Sequence, residues 1–501
     1  MAAKSLFGSL FGRSEPAPSL AGQALAVVGT ASHVGKSWTA TAICRVLRRR
    51  GLRVAPFKAT NMSLNSFVCP DGGEIGRSQA AQAEACGLAP RTDMNPLLLK
   101  PSTGGCQAVL HGKVWKEIRN GDFSAEAEHL RDLIDGAFER LADEFDFVVI
   151  EGSGGCAELN LRGRDLANLE LAARLGAPAL LVADIRRGGV FASVLGTLAL
   201  LEPAENRCVR SFLVNRFQGD RRLFDEGRRM LETRAEKPCL GVFPDEPSIH
   251  LDDEDSVSLE ERRPEPSVEP DALRVAIVRL PNIANTTDFR HLPQAEYITE
   301  AARIDPDLII VPGTKNTVED LAWMKRTGLD RWILDKRKDG TAVWGICGGF
   351  QMLGRTVADP YAVESGRRKL SGLGLLPVQT TMRREKTTRQ VRARLAGSDL
   401  EFEAYEIHMG ETTPETDDSP FCFVDGEPRG YMRRGIIGHY LHGALENPRV
   451  LETLLSEVAR WRSRSAPRPA GERVDREQHY DRLADWFEAS ADMRRFEELY
   501  L

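Results

Sequence analysis

Two short stretches of this sequence hold residues spaced for chemistry, one in each half. Gly29-Thr30-Ala31-Ser32-His33-Val34-Gly35-Lys36-Ser37 sets five residues between two glycines, then a lysine and a hydroxyl. Small residues there let backbone N–H groups approach phosphate oxygens, and the N-terminus of a following helix favours anions. Lys36 would reach the β- and γ-phosphates of a nucleotide such as ATP, and the Ser37 hydroxyl would ligate Mg²⁺. The loop is one residue longer than the usual pattern, but the order of strand, loop, Gly-Lys-Ser and helix is kept. Gly345-Ile346-Cys347-Gly348-Gly349 is the second stretch. Its glycines permit the sharp turn that lifts a nucleophile above a sheet, and a helix N-terminus lowers a thiol's pKa.

Each centre needs partners from elsewhere in the chain. Tyr440-Leu441-His442-Gly443 follows the apolar pair Ile436-Ile437, so His442 is the candidate base that takes the Cys347 proton and returns it to a leaving amine. Gly313, at the end of another apolar run, and Gly348 are candidate oxyanion-hole donors. In the first half, Glu151 in Glu151-Gly152-Ser153-Gly154-Gly155 ends an apolar run and is placed to hold a metal opposite Ser37. Asp184 ends the next run and is a candidate for metal or substrate. Asn215-Arg216 fits either an adenine pocket or a plain strand-end turn.

The elements that would position these groups alternate. Short apolar runs at Ala24–Val28, Phe147–Ile150, Ala179–Ala183 and Phe212–Val214 are separated by helical stretches such as Ser37–Arg50 and Ala125–Asp143. A second series runs through Val275–Val278, Leu308–Val311 and Ala342–Ile346. Such alternation implies α/β architecture with two mainly parallel sheets covered on both faces. Between the series, residues 251–271 combine an acidic run with Pro264, Pro266 and Pro270 and read as a linker. The expected organisation is a tail over 1–22, a phosphate-loop domain over 23–250, the linker, a second domain over 272–462, and a charged helical extension over 463–501.

Composition bounds the function. Hydrophobic residues are 42% and charged residues 28%, as in soluble globular proteins. A formal charge of -6 argues against nucleic acid as the main partner, while leaving room for a local basic pocket. Nine scattered cysteines, without a CxxC pair, fit a reduced cytoplasm better than a disulfide scaffold. No run approaches the roughly 20 apolar residues of a membrane span. The repeat Ser5-Leu6-Phe7-Gly8, Ser9-Leu10-Phe11-Gly12 lacks the features of a signal peptide and reads as a frayed tail, with a docking peptide as the other reading. Assembly into a homo-oligomer is compatible with all of this.

Together these residues resemble class I glutamine amidotransferases, with a Cys–His pair, fused to a dethiobiotin-synthetase-like phosphate-loop domain. That fusion narrows the likeness to the enzymes that amidate cobyrinic and cobyric acids. Ala55-Pro56-Phe57-Lys58 with Asn61-Met62 and Leu64-Asn65-Ser66, Asp71-Gly72-Gly73-Glu74-Ile75-Gly76-Arg77, Asp93-Met94-Asn95-Pro96, Arg187-Gly188-Gly189-Val190-Phe191-Ala192 and Tyr405-Glu406-Ile407-His408-Met409-Gly410 resemble the cobyric acid synthase family. The resemblance implies a fold of phosphate-loop NTPase type followed by a flavodoxin-like amidotransferase domain. It implies that Lys58 contacts substrate carboxylate and phosphate, and that Glu151 binds Mg²⁺. It further implies glutamine hydrolysis at Cys347, with ammonia passing to a corrinoid carboxylate activated by ATP. The family amidates the b, d, e and g side chains of adenosylcobyrinic acid a,c-diamide, with one ATP and one glutamine for each.

The sequence departs from the family pattern at four places. His33 stands where an acid is usual, Thr60 where Gln is common, and Arg186 where Asp is common. Ala444 occupies the position, two after the histidine, where many triad amidotransferases carry Glu, which points to a Cys–His dyad. A neighbouring reading is amidation of the a and c carboxylates of cobyrinic acid or of a related tetrapyrrole. A different class would be a nucleotide-switch protein with an inert second domain. Against it stand Ala31, where partitioning ATPases carry a signature lysine, and the intact Cys347/His442 pair.

Overall fold

The computed structural model describes residues 23–102, 105–119, 126–162, 165–249, 251, 272–301, 304–416, 419–464 and 476–501. The 1–22 tail, nearly all of the 251–271 linker and part of the C-terminal extension lie outside them. Within the chain, contacts form two compact units that do not follow chain order. One holds the sequence up to Ala55, Ala142–Glu246 and Ala484–Leu501; the other holds Pro56–Leu141 and Pro247–Leu483.

The first unit is built on a six-stranded sheet. Its order is Cys239–Pro244, Val209–Phe217, Ala179–Asp184, Ala24–Gly29, Phe147–Glu151, Val54–Phe57. The successive pairings from Cys239–Pro244 to Phe147–Glu151 are parallel. Every residue of Ala24–Gly29 and of Phe147–Glu151 is buried, as apolar runs in a two-sided parallel sheet must be. The helix Lys36–Arg49 leaves the first strand through the glycine loop and carries Arg48 and Arg49 in its last turn, where cations suit the helix dipole.

The C-terminal helices, read from the sequence as an extension, supply part of this unit's core. Trp486 and Phe487 pack on Phe243, at ring-centroid distances of 4.8 and 5.4 Å. The Tyr500 hydroxyl is 2.7 Å from the Ser211 hydroxyl and donates to the Ala179 carbonyl at 3.2 Å.

The second unit contains a second mainly parallel sheet, ordered Glu296–Ile298, Val275–Val278, Leu308–Val311, Ala342–Ile346, Ile436–His439, Tyr431–Arg433. Only the pairing of the last two is antiparallel. Beside it runs an antiparallel ribbon absent from the sequence reading, Val378–Leu395 against Glu401–Pro414, whose far edge takes the short strand Leu441–His442. Residues 56–141 add a four-stranded sheet (Thr60–Met62, Leu97–Ser102, Gly105–Leu110, Lys113–Arg119) and the hairpin Ser66–Val68/Glu74–Gly76.

Candidate active site

In the first unit the phosphate loop closes between strand Ala24–Gly29 and helix Lys36–Arg49. Gly35 sits at φ 103°, and a Cβ there would lie 2.1 Å from Asn215 Nδ2, so glycine is required. Asn215 Nδ2 also donates to the Val34 carbonyl at 2.9 Å, tying the loop to the end of a neighbouring strand. Lys36 Nζ donates to the carbonyls of Ala31 at 3.0 Å and Gly154 at 2.7 Å, which span the loop mouth. Ser37 Oγ donates to Glu151 Oε1 at 2.8 Å. The structure thus brings together Gly29, Gly35, Lys36, Ser37 and Glu151.

Asp184 is engaged otherwise. Its Oδ2 pairs with Arg216 at 3.0 Å, and its Oδ1 accepts from the Arg186 N–H at 2.7 Å. His33 and Arg186 are both exposed. Ser37 and Glu151 present two hard oxygen atoms side by side, which suits Mg²⁺, a cation that takes few protein ligands and keeps phosphate and water oxygens.

The second unit carries the other centre. Cys347 follows strand Ala342–Ile346 with φ 53° and ψ -109°, a strained conformation for a non-glycine residue, and begins the helix Gly348–Leu353. The tightness of the elbow shows at Gly349, where a Cβ would stand 1.9 Å from the Val311 carbonyl oxygen. Cys347 Sγ lies 3.4 Å from the Ile407 carbonyl. His442 pairs in register with Tyr405 on the antiparallel ribbon, and their rings stack at 5.5 Å. Gly313 packs against the imidazole, for a Cβ on it would be 2.9 Å from His442 Cε1. Gly348 abuts Thr314, the residue after Gly313. The motif Tyr405–Gly410 therefore lies at this centre.

The expectation of a Cys–His dyad is corrected here. His442 Nδ1 is 2.7 Å from Asp288 Oδ2, and the Gly443 N–H donates to Asp288 Oδ1 at 2.7 Å. Burial alone would lower the His442 pKa. The Asp288 charge and hydrogen bond, with a further hydrogen bond from the ring to the Cys347 sulfur, outweigh it and raise the value to about 10. An imidazole this basic keeps the proton it takes from the thiol until the leaving amine receives it. Glu446, the acid nearest after the histidine in sequence, instead pairs with Arg476 at 2.6 Å and Arg290 at 3.0 Å. Asp288 escaped the sequence reading because it stands in the turn Thr286–Phe289, between the first two strands of that domain and 154 residues before the histidine.

Lys58 is 2% exposed just past strand Val54–Phe57, its N–H bonded to the Met94 carbonyl at 2.8 Å.

Residues 25–258 match the family of CobQ/CobB/MinD/ParA nucleotide binding domains, and residues 274–450 match the CobB/CobQ-like glutamine amidotransferase domains. A cobyric acid synthase of Sorangium cellulosum is 42% identical over 503 residues, covering 93% of this chain and 96% of that protein. One from Bacteroides fragilis is 44% identical over 475 residues, covering 92% and 94%. One from Dehalococcoides mccartyi is 40% identical over 499 residues, covering 94% and 97%. The chain belongs to the cobyric acid synthase family. As a member of it, this chain is a glutamine-dependent carbon–nitrogen ligase with a nucleotide-binding domain ahead of its amidotransferase domain. Among the described residues, no helix is long and apolar enough to cross a membrane.

Proposed function

We propose that this chain converts the b, d, e and g side-chain carboxylates of adenosylcobyrinic acid a,c-diamide to carboxamides, giving cobyric acid, with glutamine as nitrogen donor and ATP as activator. The observation that carries this reading is the Cys347–His442–Asp288 arrangement in the same chain as the Lys36–Ser37–Glu151 phosphate loop. The likeness to whole cobyric acid synthases supports the choice of substrate.

At the amidotransferase centre, Cys347 Sγ attacks the carboxamide carbon of glutamine. Its proton passes to His442 and then to the departing ammonia. Asp288 fixes the tautomer and steadies the imidazolium. The N–H groups of Gly313 and Gly348 are assigned to the oxyanion, where losing one such donor costs roughly 3 kcal/mol of barrier. Water then cleaves the thioester, releasing glutamate.

At the phosphate loop, a substrate carboxylate attacks the γ-phosphate of ATP, forming an acyl phosphate and ADP. Ammonia adds to the acyl carbon and phosphate leaves. Lys36 and the loop N–H groups hold the phosphates, and Lys58 is assigned to the carboxylate and transferring phosphate. Ser37 and Glu151 would hold Mg²⁺, which when bound supplies neutralising charge to the phosphates. Asp184, bonded to Arg216, is assigned to shaping the site beside them, with metal contact as its alternative role.

The test is purified protein with ATP, Mg²⁺, glutamine and either cobyrinic acid or adenosylcobyrinic acid a,c-diamide, read by mass spectrometry for replacement of OH by NH₂. Successive replacements on the a,c-diamide are expected. Reaction with cobyrinic acid only would move the assignment to a,c-diamide synthesis, and glutamine hydrolysis without any amidation would overturn it.

A further inference from the structure

The three consecutive residues Asn65, Ser66 and Phe67 take no part in the chemistry above, yet they contact the supports of the Asp288–His442 pair. The Thr286 N–H donates to Asn65 Oδ1 at 3.2 Å, and Asn65 Nδ2 donates to Thr286 Oγ1 at 3.3 Å. The Ser66 N–H donates to Asn285 Oδ1 at 3.0 Å. Asn285 and Thr286 open the short 3-10 turn Thr286–Phe289 that carries Asp288. A turn of this kind leaves its first N–H groups without partners of their own, and Asn65 supplies one from outside.

The same three residues reach His442 by a second route. The Tyr405 hydroxyl donates to the Ser66 carbonyl at 3.4 Å, and the Phe67 ring meets the Tyr405 ring at 5.2 Å. Tyr405 in turn stacks on His442. Asn65, Ser66, Asp288, Tyr405 and His442 are all buried, so no solvent competes for these bonds. Asn65 is itself fixed, because its carbonyl accepts from the Arg77 N–H at 3.0 Å.

We propose that Asn65 is a positioning residue for glutamine hydrolysis, gripping the Thr286–Phe289 turn so that the Asp288 carboxylate stays on His442 Nδ1. The proposal rests on reading Cys347, His442 and Asp288 as the glutaminase. In this role Asn65 acts on rate through Asp288. A misplacement of about 1 Å in such a support lowers turnover by up to roughly 100-fold without weakening substrate binding.

The experiment compares full-length wild type with Asn65→Ala, Thr286→Val and Thr286→Ser, fed glutamine or ammonium chloride. Asn65→Ala is expected to lower kcat with glutamine about 10- to 100-fold. Its KM for glutamine and its ammonia-supported amidation should stay as in wild type. Thr286→Val, which deletes one of the two bonds, should fall between, and Thr286→Ser, which keeps both, should match wild type. Wild-type kcat with glutamine in Asn65→Ala overturns the proposal. So does an equal loss with both nitrogen sources, or a rise in KM alone. Cys347→Ala and Asp288→Asn run beside them separate the two levels: if either keeps glutamine turnover, the reading of the centre fails, not the role of Asn65.

Discussion

His442 Nδ1 and Asp288 Oδ2 meet at 2.7 Å across 154 residues of sequence, and the next residue, Gly443, sends its N–H to the other oxygen of the same carboxylate. The carboxylate thereby fixes both the ring and the backbone that carries it. The arrangement resembles the orienting acid of a Ser-His-Asp triad, with a thiol in place of the hydroxyl.

Asp288→Asn should keep the fold and lower glutamine-dependent kcat by about 10³- to 10⁴-fold, because an amide favours the wrong tautomer of the imidazole. Cys347→Ala should abolish glutamine use altogether. In both variants ammonium chloride should still support amidation, measured as product formed per ATP consumed. Failure of ammonia to rescue a folded Cys347→Ala would mean that the two centres are not separable.

The pair also predicts a pH dependence of stability. The His442 pKa is raised to about 10 in the folded chain against about 6.5 when unfolded. The folded state therefore binds the extra proton between those values. Its stabilisation is complete below about 6.5 and is lost as pH rises through about 10. Thermal melts of wild type and Asp288→Asn should differ most near neutral and mildly acidic pH. The gap in Tm should close as pH approaches the folded value.

At the phosphate loop, Lys36→Ala and Glu151→Gln should each stop amidation with either nitrogen source, since both act on the nucleotide step. Titration with ATP in a calorimeter should show weakened binding for Lys36→Ala. For Glu151→Gln the loss should be clearest when Mg²⁺ is present, because the amide is a poorer ligand for a hard cation. Ordinary turnover in Lys36→Ala would remove the loop from the mechanism.

A fourth expectation concerns the buried Glu74. Its carboxylate is 2.6 Å from Lys100 Nζ and also pairs with Lys386. Burial works against its charge, but the two lysines prevail and hold its pKa well below the carboxylate range. Glu74→Gln leaves two ammonium groups facing each other in the interior and should destabilise this unit by about 3–5 kcal/mol. The depressed pKa makes the contribution full above about 4.3 and progressively lost on acidification. Urea melts at neutral and acidic pH should show the cost shrinking as pH falls.

Much of this was legible in the sequence. Val275–Val278, Leu308–Val311 and Ala342–Ile346 are strands with the limits that their apolar runs suggest, because a strand buried on both faces has no polar residue to blur it. The glycine loop and the cysteine elbow were readable for a related reason, since each needs small residues at fixed offsets. Asp288 was not readable, because nothing local marks an acid whose partner lies 154 positions away.

The ribbon Val378–Leu395 was hidden differently. Its ends alternate buried and exposed, but the middle, Arg383 to Gln390, is dominated by charged and polar residues and carries a register shift. The C-terminal helices looked like a charged tail because Trp486, Phe487, Phe496 and Tyr500 are diluted among arginines and glutamates. Only tertiary packing reveals that these aromatics belong to the first unit's core.

Residues 56–141 precede the amidotransferase sequence by more than a hundred positions yet fold into its unit. Subcloning this chain at the acidic, proline-rich join would therefore not excise a self-sufficient module. A fragment beginning near residue 272 would leave the Asp288 turn and the Tyr405 ring uncovered where Asn65, Ser66 and Phe67 normally sit. Supplying 56–141 on the same polypeptide, rather than trimming to a textual border, is what an excised glutaminase would require.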